Sequence, residues 1–312
     1  MNQDTSATYR IGNTTVTKIP ELTLTGFALT TLLPDLQIET LKEHPNWIDP
    51  VTLDPVTGNA LLSVHTWLVK TPRHTILIDT GVGNDKQRPT IPVMHQLHNP
   101  YLERLAAAGV ELDAVDYVLI THLHADHVGW NTRFVDGRWI PTFPNARYVF
   151  SELEQQYGRG LANQDVHAAS ALARARLGSP VRTPVAGVYA DSVQPIIDAG
   201  LAQLIPIDGS EIVDGISFHP APGHSIDHAT ILLRSHGAEA VFGGDTLHHP
   251  IEIYQLELVS MFCEFPEAAR ASRRSMLEHL VESGATYFSS HFPSASAGSV
   301  TRQNGAYAWK FL

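Results

Sequence analysis

Four potential metal donors fall within six residues of the stretch Thr121-His122-Leu123-His124-Ala125-Asp126-His127, and that cluster restricts the fold more than any other part of the chain. Immediately upstream, Ala114 to Ile120 is a short apolar run containing β-branched residues, which predicts a buried strand ending where the imidazoles begin. In extended backbone His122 and His124 alternate with Leu123 and project to one side. Asp126 and His127 then lie on the turn into the next element. Imidazole and carboxylate donors suit zinc, and the same set accepts iron, manganese or cobalt.

The arrangement repeats along the chain. Ile76-Leu77-Ile78 ends in Asp79 and a run of glycines, and Ile216 to His219 leads into Ala221-Pro222-Gly223-His224-Ser225. Ala240-Val241-Phe242 breaks on Gly243-Gly244 before Asp245, and Tyr287-Phe288 precedes His291. Each time an apolar strand ends and a His or Asp follows, so these donors can converge on one edge of a sheet sandwich. Asp79 has two readings, a turn former or a carboxylate that orients a ligand imidazole through its second nitrogen.

Other elements can be placed from local signals. Tyr9 to Lys18 alternates like a strand, with Ile11, Val16 and Ile19 lining a sheet. Ala60 to Val69 and His74 to Ile78 form two strands joined by a turn at Thr71-Pro72-Arg73. Pro100 to Ala108 is a helix stopped by Gly109, and Asp136-Gly137 centres a hairpin over Phe134 to Ile140. Ser151 with Glu154 reads as a capping box opening a helix, Leu161 to Gly178 is helical, and Ala190 to Ala199 forms a short helix. His44 to Gly58 is loop, as is Asn84 to Asn99, whose His95 and His98 follow no ligand spacing. Glu21 to Leu36 is rich in leucine around Pro34 and reads either as core or as an apolar arm over a pocket.

A chain of 312 residues is long enough for a sizeable core, and no linker of shifted composition divides it, so one domain over 1–312 is expected, with an apolar arm at about 20–60. A net charge of -11 argues against a nucleic-acid partner, which calls for a basic surface. Cys263 is the single cysteine, which excludes an intrachain disulfide and fits a cytoplasmic setting. Met1 to Arg10 is polar and lacks the pattern of a signal peptide, and no apolar run reaches membrane-spanning length.

Taken together, His122-Leu123-His124-Ala125-Asp126-His127, Pro222-Gly223-His224, Gly244-Asp245 and His291 resemble, in order, the ligand set of the metallo-β-lactamase superfamily. The resemblance implies an α+β fold, an αββα sandwich of two mixed sheets packed face to face with helices outside. It also implies two divalent metal ions, zinc foremost. His122, His124 and His224 would hold the first, Asp126, His127 and His291 the second, and Asp245 would bridge them. Asp79 matches the family's supporting aspartate.

Within the superfamily, Pro222-Gly223-His224-Ser225-Ile226-Asp227-His228 is similar to the doubled Gly-His signature of N-acyl-homoserine lactonases and methyl parathion hydrolase. Gly244-Asp245-Thr246-Leu247-His248, Phe265-Pro266, a long helix and His291-Phe292-Pro293 look closest to the latter branch. Where the best-known lactonases carry a tyrosine after the bridging aspartate, this chain has His248, which becomes the expected hydrogen-bond donor. Asp126 is expected both as ligand and as proton shuttle. The implied activity is hydrolysis of a small, largely apolar ester, most readily a lactone. Phosphotriester hydrolysis, arylester hydrolysis, hydrolytic dehalogenation and β-lactam opening use similar centres, and a di-iron redox or metal-binding module is the alternative from another class. A homodimer packed through the apolar C-terminus Ala308 to Leu312 is also expected.

Overall fold

The computed structural model describes residues 6–312, so Met1 to Thr5 of the polar N-terminal stretch lie outside the described residues. Two seven-stranded sheets form the frame of the described residues. The first contains β1 (Thr8–Ile11), β2 (Thr14–Phe27), β3 (Ala60–Lys70), β4 (Thr75–Ile78) and β5 (Tyr117–Leu119). A separate hairpin, β6 (Thr132–Val135) and β7 (Arg138–Pro141), follows before β8 (Arg147–Ser151) and β9 (Ala202–Ile205) complete the sheet in the order β1-β2-β3-β4-β5-β8-β9. The second sheet runs in chain order through β10 (Glu211–Val213), β11 (Ile216–Pro220), β12 (Ala229–Ser235), β13 (Ala238–Phe242), β14 (Thr286–Phe288), β15 (Ala297–Gln303) and β16 (Ala306–Phe311).

Both sheets are mixed. The pairs β4/β5, β5/β8 and β8/β9 are parallel in the first, and β13/β14 in the second. Strand alternation divides the core into layers. Trp67, Val69, Ile76 and Ile78 meet Phe218, Ile231, Phe242 and Phe288 between the sheets. Their neighbours Leu68 and Leu77 face outward under the helices of the first sheet. On the far side Leu232 and Val241 pack beneath Met276, Leu277 and Leu280 of the helix Pro266–Ser283. Strands covered on both faces read as near-continuous apolar runs, as Ile76-Leu77-Ile78 of β4 does. This is the expected α/β/β/α sandwich.

Several local expectations change. Gly12, at φ 58°, splits the Tyr9 to Lys18 segment into a hairpin, and Ile19 faces the outer layer while Ile11 and Val16 face the inner one. The run Ala114 to Ile120 contains a shorter strand, because Leu112–Ala114 is a 3-10 turn. The helix opened by Ser151 runs over Glu152–Ala162, and the helix expected over Leu161 to Gly178 starts later and spans Val166–Arg176. Gln164 between them has φ 58°, and Asp165 caps the second helix by accepting from Ala168 N. A π turn at Tyr189–Val193 precedes the short helix Gln194–Asp198. The Asp136-Gly137 turn has φ of 50° and 79°, the paired positive values that a two-residue hairpin of this kind requires.

Glu21 to Leu36 divides in two. Its first part extends β2, and Leu29, Leu32, Leu33 and Leu36 of the second are buried in the outer core. At the other end Trp309 packs edge-on against Phe292 and Tyr287, so part of the apolar C-terminus is used within the chain. Among the described residues no helix is long and apolar enough to cross a membrane.

Candidate metal centre

Because β4/β5 and β13/β14 are parallel pairs, the C-terminal ends of both partners in each pair point the same way. Asp79 follows β4, Thr121 to His127 follow β5, Asp245 follows β13 and His291 follows β14. His224 joins them from the turn between β11 and β12. Asp79 adopts φ 53°, a left-handed conformation that short polar side chains tolerate. Its carboxylate accepts from Thr121 N at 2.9 Å, Thr121 Oγ1 at 2.9 Å and His127 Nδ1 at 2.8 Å. Asp79 therefore fills both of its predicted roles, and the turn it makes presents His127 Nε2 to the site.

The other imidazoles are tied in the same fashion, each through the nitrogen that faces away from the centre. Thr121 Oγ1 donates to Asp79, so its lone pair is free to accept from His122 Nδ1 at 3.0 Å. His291 Nδ1 donates to the Ser63 carbonyl at 3.0 Å. His124 reverses the pattern. Its Nε2 meets Glu264 Oε1 at 2.8 Å, and its Nδ1 faces inward, 2.8 Å from His224 Nε2.

Asp245 lies at the middle, and its two oxygens serve different halves of the cluster. Oδ1 is 3.1 Å from His127 Nε2 and 3.0 Å from His291 Nε2. Oδ2 is 3.1 Å from His224 Nε2 and 3.9 Å from His122 Nε2. Two groups of three donors flank it, His122 with His124 and His224, and Asp126 with His127 and His291, each with its donor atoms within 4.8 Å of one another. All seven residues named from the sequence as ligands meet here.

The donors suit divalent cations. His122 Nε2, His127 Nε2 and Asp245 Oδ1 are buried without a hydrogen-bond partner, a costly state that a cation would relieve. Burial holds His122 and His224 well below the usual imidazole range, so both present lone pairs. Burial opposes charge on His127 too, but the carboxylates of Asp245, Asp79 and Asp126 outweigh it and raise its pKa. Asp245 is buried, which favours its neutral form, yet His127, His291 and His224 hold it well below the carboxylate range.

His248 lines the same cavity. Its Nε2 is 3.3 Å from Asp245 Oδ2, and both of its ring nitrogens lack hydrogen-bond partners. It also forms a three-donor group with His224 and Asp245. His228 has no free nitrogen to offer, since Nδ1 donates to the Ala221 carbonyl at 3.1 Å and Nε2 accepts from Asp245 N at 2.8 Å. It positions the backbone of Asp245. His95 accepts from Arg88 N at 2.9 Å and belongs to the folding of its loop. Glu264 and Thr121 were not singled out as site residues, and only Thr121, adjacent to His122, carried a local signal.

A cavity of about 70 Å³ opens over the cluster and is walled by Leu24, Leu62, Ile91, Met94, Val185 and Phe262. Arg182 stands at its edge, donating to the Met261 carbonyl at 2.7 Å.

Comparison with known proteins shows the family and the fold. A "probable metallo-hydrolase" of Mycobacterium tuberculosis is 28% identical over 204 residues, 62% of this chain, and the match spans 59% of that protein's length. Hydroxyacylglutathione hydrolase of Aeromonas hydrophila is 31% identical over 99 residues, 32% of this chain and 30% of its own. Among solved structures, the hydrolase AbOPH of the β-lactamase superfamily superposes with a TM-score of 0.75 at 20% identity, covering 98% of this chain and 97% of its own. The dizinc quorum-quenching lactonase AidC, in complex with N-hexnoyl-L-homoserine, gives 0.71 at 18% identity over 98% and 97% of the two chains. The Bacillus thuringiensis protein AiiA, with N-decanoyl-L-homoserine bound, gives 0.58 at 19% identity over 91% and 94%. Residues 60–291, from the start of β3 to the final histidine of the cluster, match the Metallo-beta-lactamase superfamily, and the chain belongs to that superfamily.

Proposed function

We propose that the chain is a dinuclear metal-dependent hydrolase of a small, largely apolar ester, with a lactone as its preferred substrate class. The observation that carries this reading is the division of Asp245, whose oxygens face two separate groups of donors from one carboxylate. His122, His124 and His224 would hold one cation, Asp126, His127 and His291 the other, and Asp245 would touch both. Zinc fits this nitrogen-rich set. Such a pair supplies Lewis acidity and makes a water nucleophile available near neutral pH.

The protein's own groups do the rest. Asp126, a half-buried carboxylate lining the cavity, would take up a proton from the attacking water. His248, whose ring nitrogens have no hydrogen-bond partner, would donate to an oxygen of the substrate. The apolar wall keeps bulk water from the reacting carbonyl and receives the acyl part of the substrate. Leu24 of the N-terminal arm contributes to that wall, and Phe27 braces Phe262 edge-on at 5.4 Å. Lactonases with this fold, AidC among them, support testing lactones first. The buried, unpaired Cys263 suits a cytoplasmic protein.

The test is a substrate panel on chelator-stripped protein reloaded with zinc. Two zinc ions per chain and opening of medium-chain N-acyl lactones, well ahead of aryl esters and phosphotriesters, are expected. Chelation should abolish turnover. Asp245→Asn and His124→Ala should each lose at least a hundredfold in kcat/KM, and full lactone opening by either variant sinks the reading. Preference for a phosphotriester would keep the centre and overturn the substrate.

A further inference from the structure

We infer that Glu264 is a positioning residue that selects which nitrogen of His124 faces the metal centre. The inference rests on the metal reading above and concerns a residue outside the proposed ligand set. Glu264 is fully buried, and all four of its polar atoms are engaged. Its N–H donates to the His224 carbonyl at 3.0 Å, and its carbonyl accepts from Val181 N at 2.9 Å. Oε1 meets His124 Nε2 at 2.8 Å, and Oε2 accepts from Tyr157 Oη at 3.1 Å.

Two consequences follow from the chemistry of these partners. A carboxylate can only accept, so the Nε2 that faces it must carry the proton. In a neutral His124 the lone pair then belongs to Nδ1, the atom that points at His224 Nε2 across 2.8 Å. His122, His127 and His291 are fixed the other way round, each with Nδ1 tied outward and Nε2 inward. Glu264 thus supports the one imidazole that enters the centre by its shorter edge. Tyr157 holds the second carboxylate oxygen, which stops the side chain from swinging away. The main-chain bond to His224 couples the support of one donor to the placement of another.

Outer carboxylates of this kind are worth about 10- to 100-fold in metal affinity. Glu264→Gln can keep an oxygen toward His124 while losing the charge. Glu264→Leu, made with Tyr157→Phe so that no hydroxyl is orphaned, loses both. Zinc affinity would be measured by competition with a chromophoric chelator, alongside the His124 tautomer from nitrogen-15 NMR of the metal-free protein. The expected order is wild type tightest, Glu264→Gln about tenfold weaker for one of two ions, and the Leu/Phe pair about a hundredfold weaker. The protonated Nε2 of His124 should be retained in wild type and lost, wholly or in part, in the Leu/Phe pair.

Equal affinities in folded variants, or a wild-type His124 protonated on Nδ1, would overturn the assignment. Failure of the metal reading itself looks different, because wild type would then bind no pair of ions. If the Leu/Phe pair does not fold, the Glu264→Gln affinity and the wild-type tautomer still decide the matter.

Discussion

Glu154 carries a pH-dependent cost that can be measured apart from activity. It occupies the third position of the helix Glu152–Ala162, where a capping box would send its carboxylate back to Ser151 N. Instead Oε1 accepts from Ser225 Oγ and from Asp227 N at 2.8 Å, joining the helix to the turn that holds His224. Burial is the main cause that raises its pKa, from 4.5 to about 7, and nearby Glu264 adds to it. A carboxyl with a raised folded pKa keeps its proton longer in the folded chain than in the unfolded one. Its favourable contribution is complete below pH 4.5, declines as the unfolded chain ionises, and is gone above pH 7, where the folded state holds a buried anion.

The span from 4.5 to about 7 corresponds to on the order of 3 kcal/mol, at about 1.4 kcal/mol per pH unit. Glu154→Gln keeps an acceptor for Ser225 and Asp227 and cannot ionise. Glu154 lines a second cavity of about 460 Å³, which has room for a water to take the amide N–H. Urea unfolding of both chains in chelator, at pH 5 and pH 8.5, reads the effect. Wild type at pH 5 has lost only about 1 kcal/mol by this linkage, so the advantage of the Gln chain should grow by roughly 2 kcal/mol on going to pH 8.5. An advantage that stays constant between the two pH values refutes the assignment of the titration to Glu154.

Two further predictions concern stability. Gly223 has φ 131°, and a Cβ there would overlap the backbone N of Ala269 in the helix Pro266–Ser283. Gly223→Ala should cost about 2–4 kcal/mol in thermal or urea unfolding, and an unchanged midpoint would show that the helix does not approach so closely. Arg88, fully buried, makes paired bonds of 2.7 and 2.8 Å to Asp191 and fastens the loop after Asp79 to the π turn. Arg88→Met leaves that carboxylate without its main partner and should cost about 3–5 kcal/mol, with the Arg88→Met/Asp191→Asn pair recovering part of the loss.

The parts of the fold that were legible are those specified by neighbours in sequence. Asp136-Gly137 forms its hairpin because two positive φ values are needed at once, and Gly109 stops its helix at φ 72°. Ser151 caps its helix through its own hydroxyl, but Glu154 leaves the box for Ser225 and Asp227, which no spacing rule anticipates. The break at Gln164 was placed too early, at Leu161, because a left-handed Gln leaves no signature in the sequence. Gly12 was missed because alternation resumes on the far side of a two-residue turn.

The candidate metal centre follows the same division. Its inward-facing groups lie just beyond apolar strands or sharp turns, so the pattern of a strand ending on His or Asp named all seven residues that come together there. Their outward supports vary in distance along the chain. Thr121 adjoins His122, whereas Asp79 lies 48 residues from His127, Glu264 140 from His124 and Ser63 228 from His291. Asp79 was recoverable because it too ends a strand, in a parallel pair with the strand that delivers His127. Glu264 lies in a loop before a helix and Ser63 contributes only a carbonyl, so neither leaves a periodic mark. A centre like this is therefore readable from sequence as a list of ligands before it is readable as a set of tautomers. The long-range partners decide which nitrogen each imidazole presents, and that choice turns a cluster of histidines into a site with defined geometry.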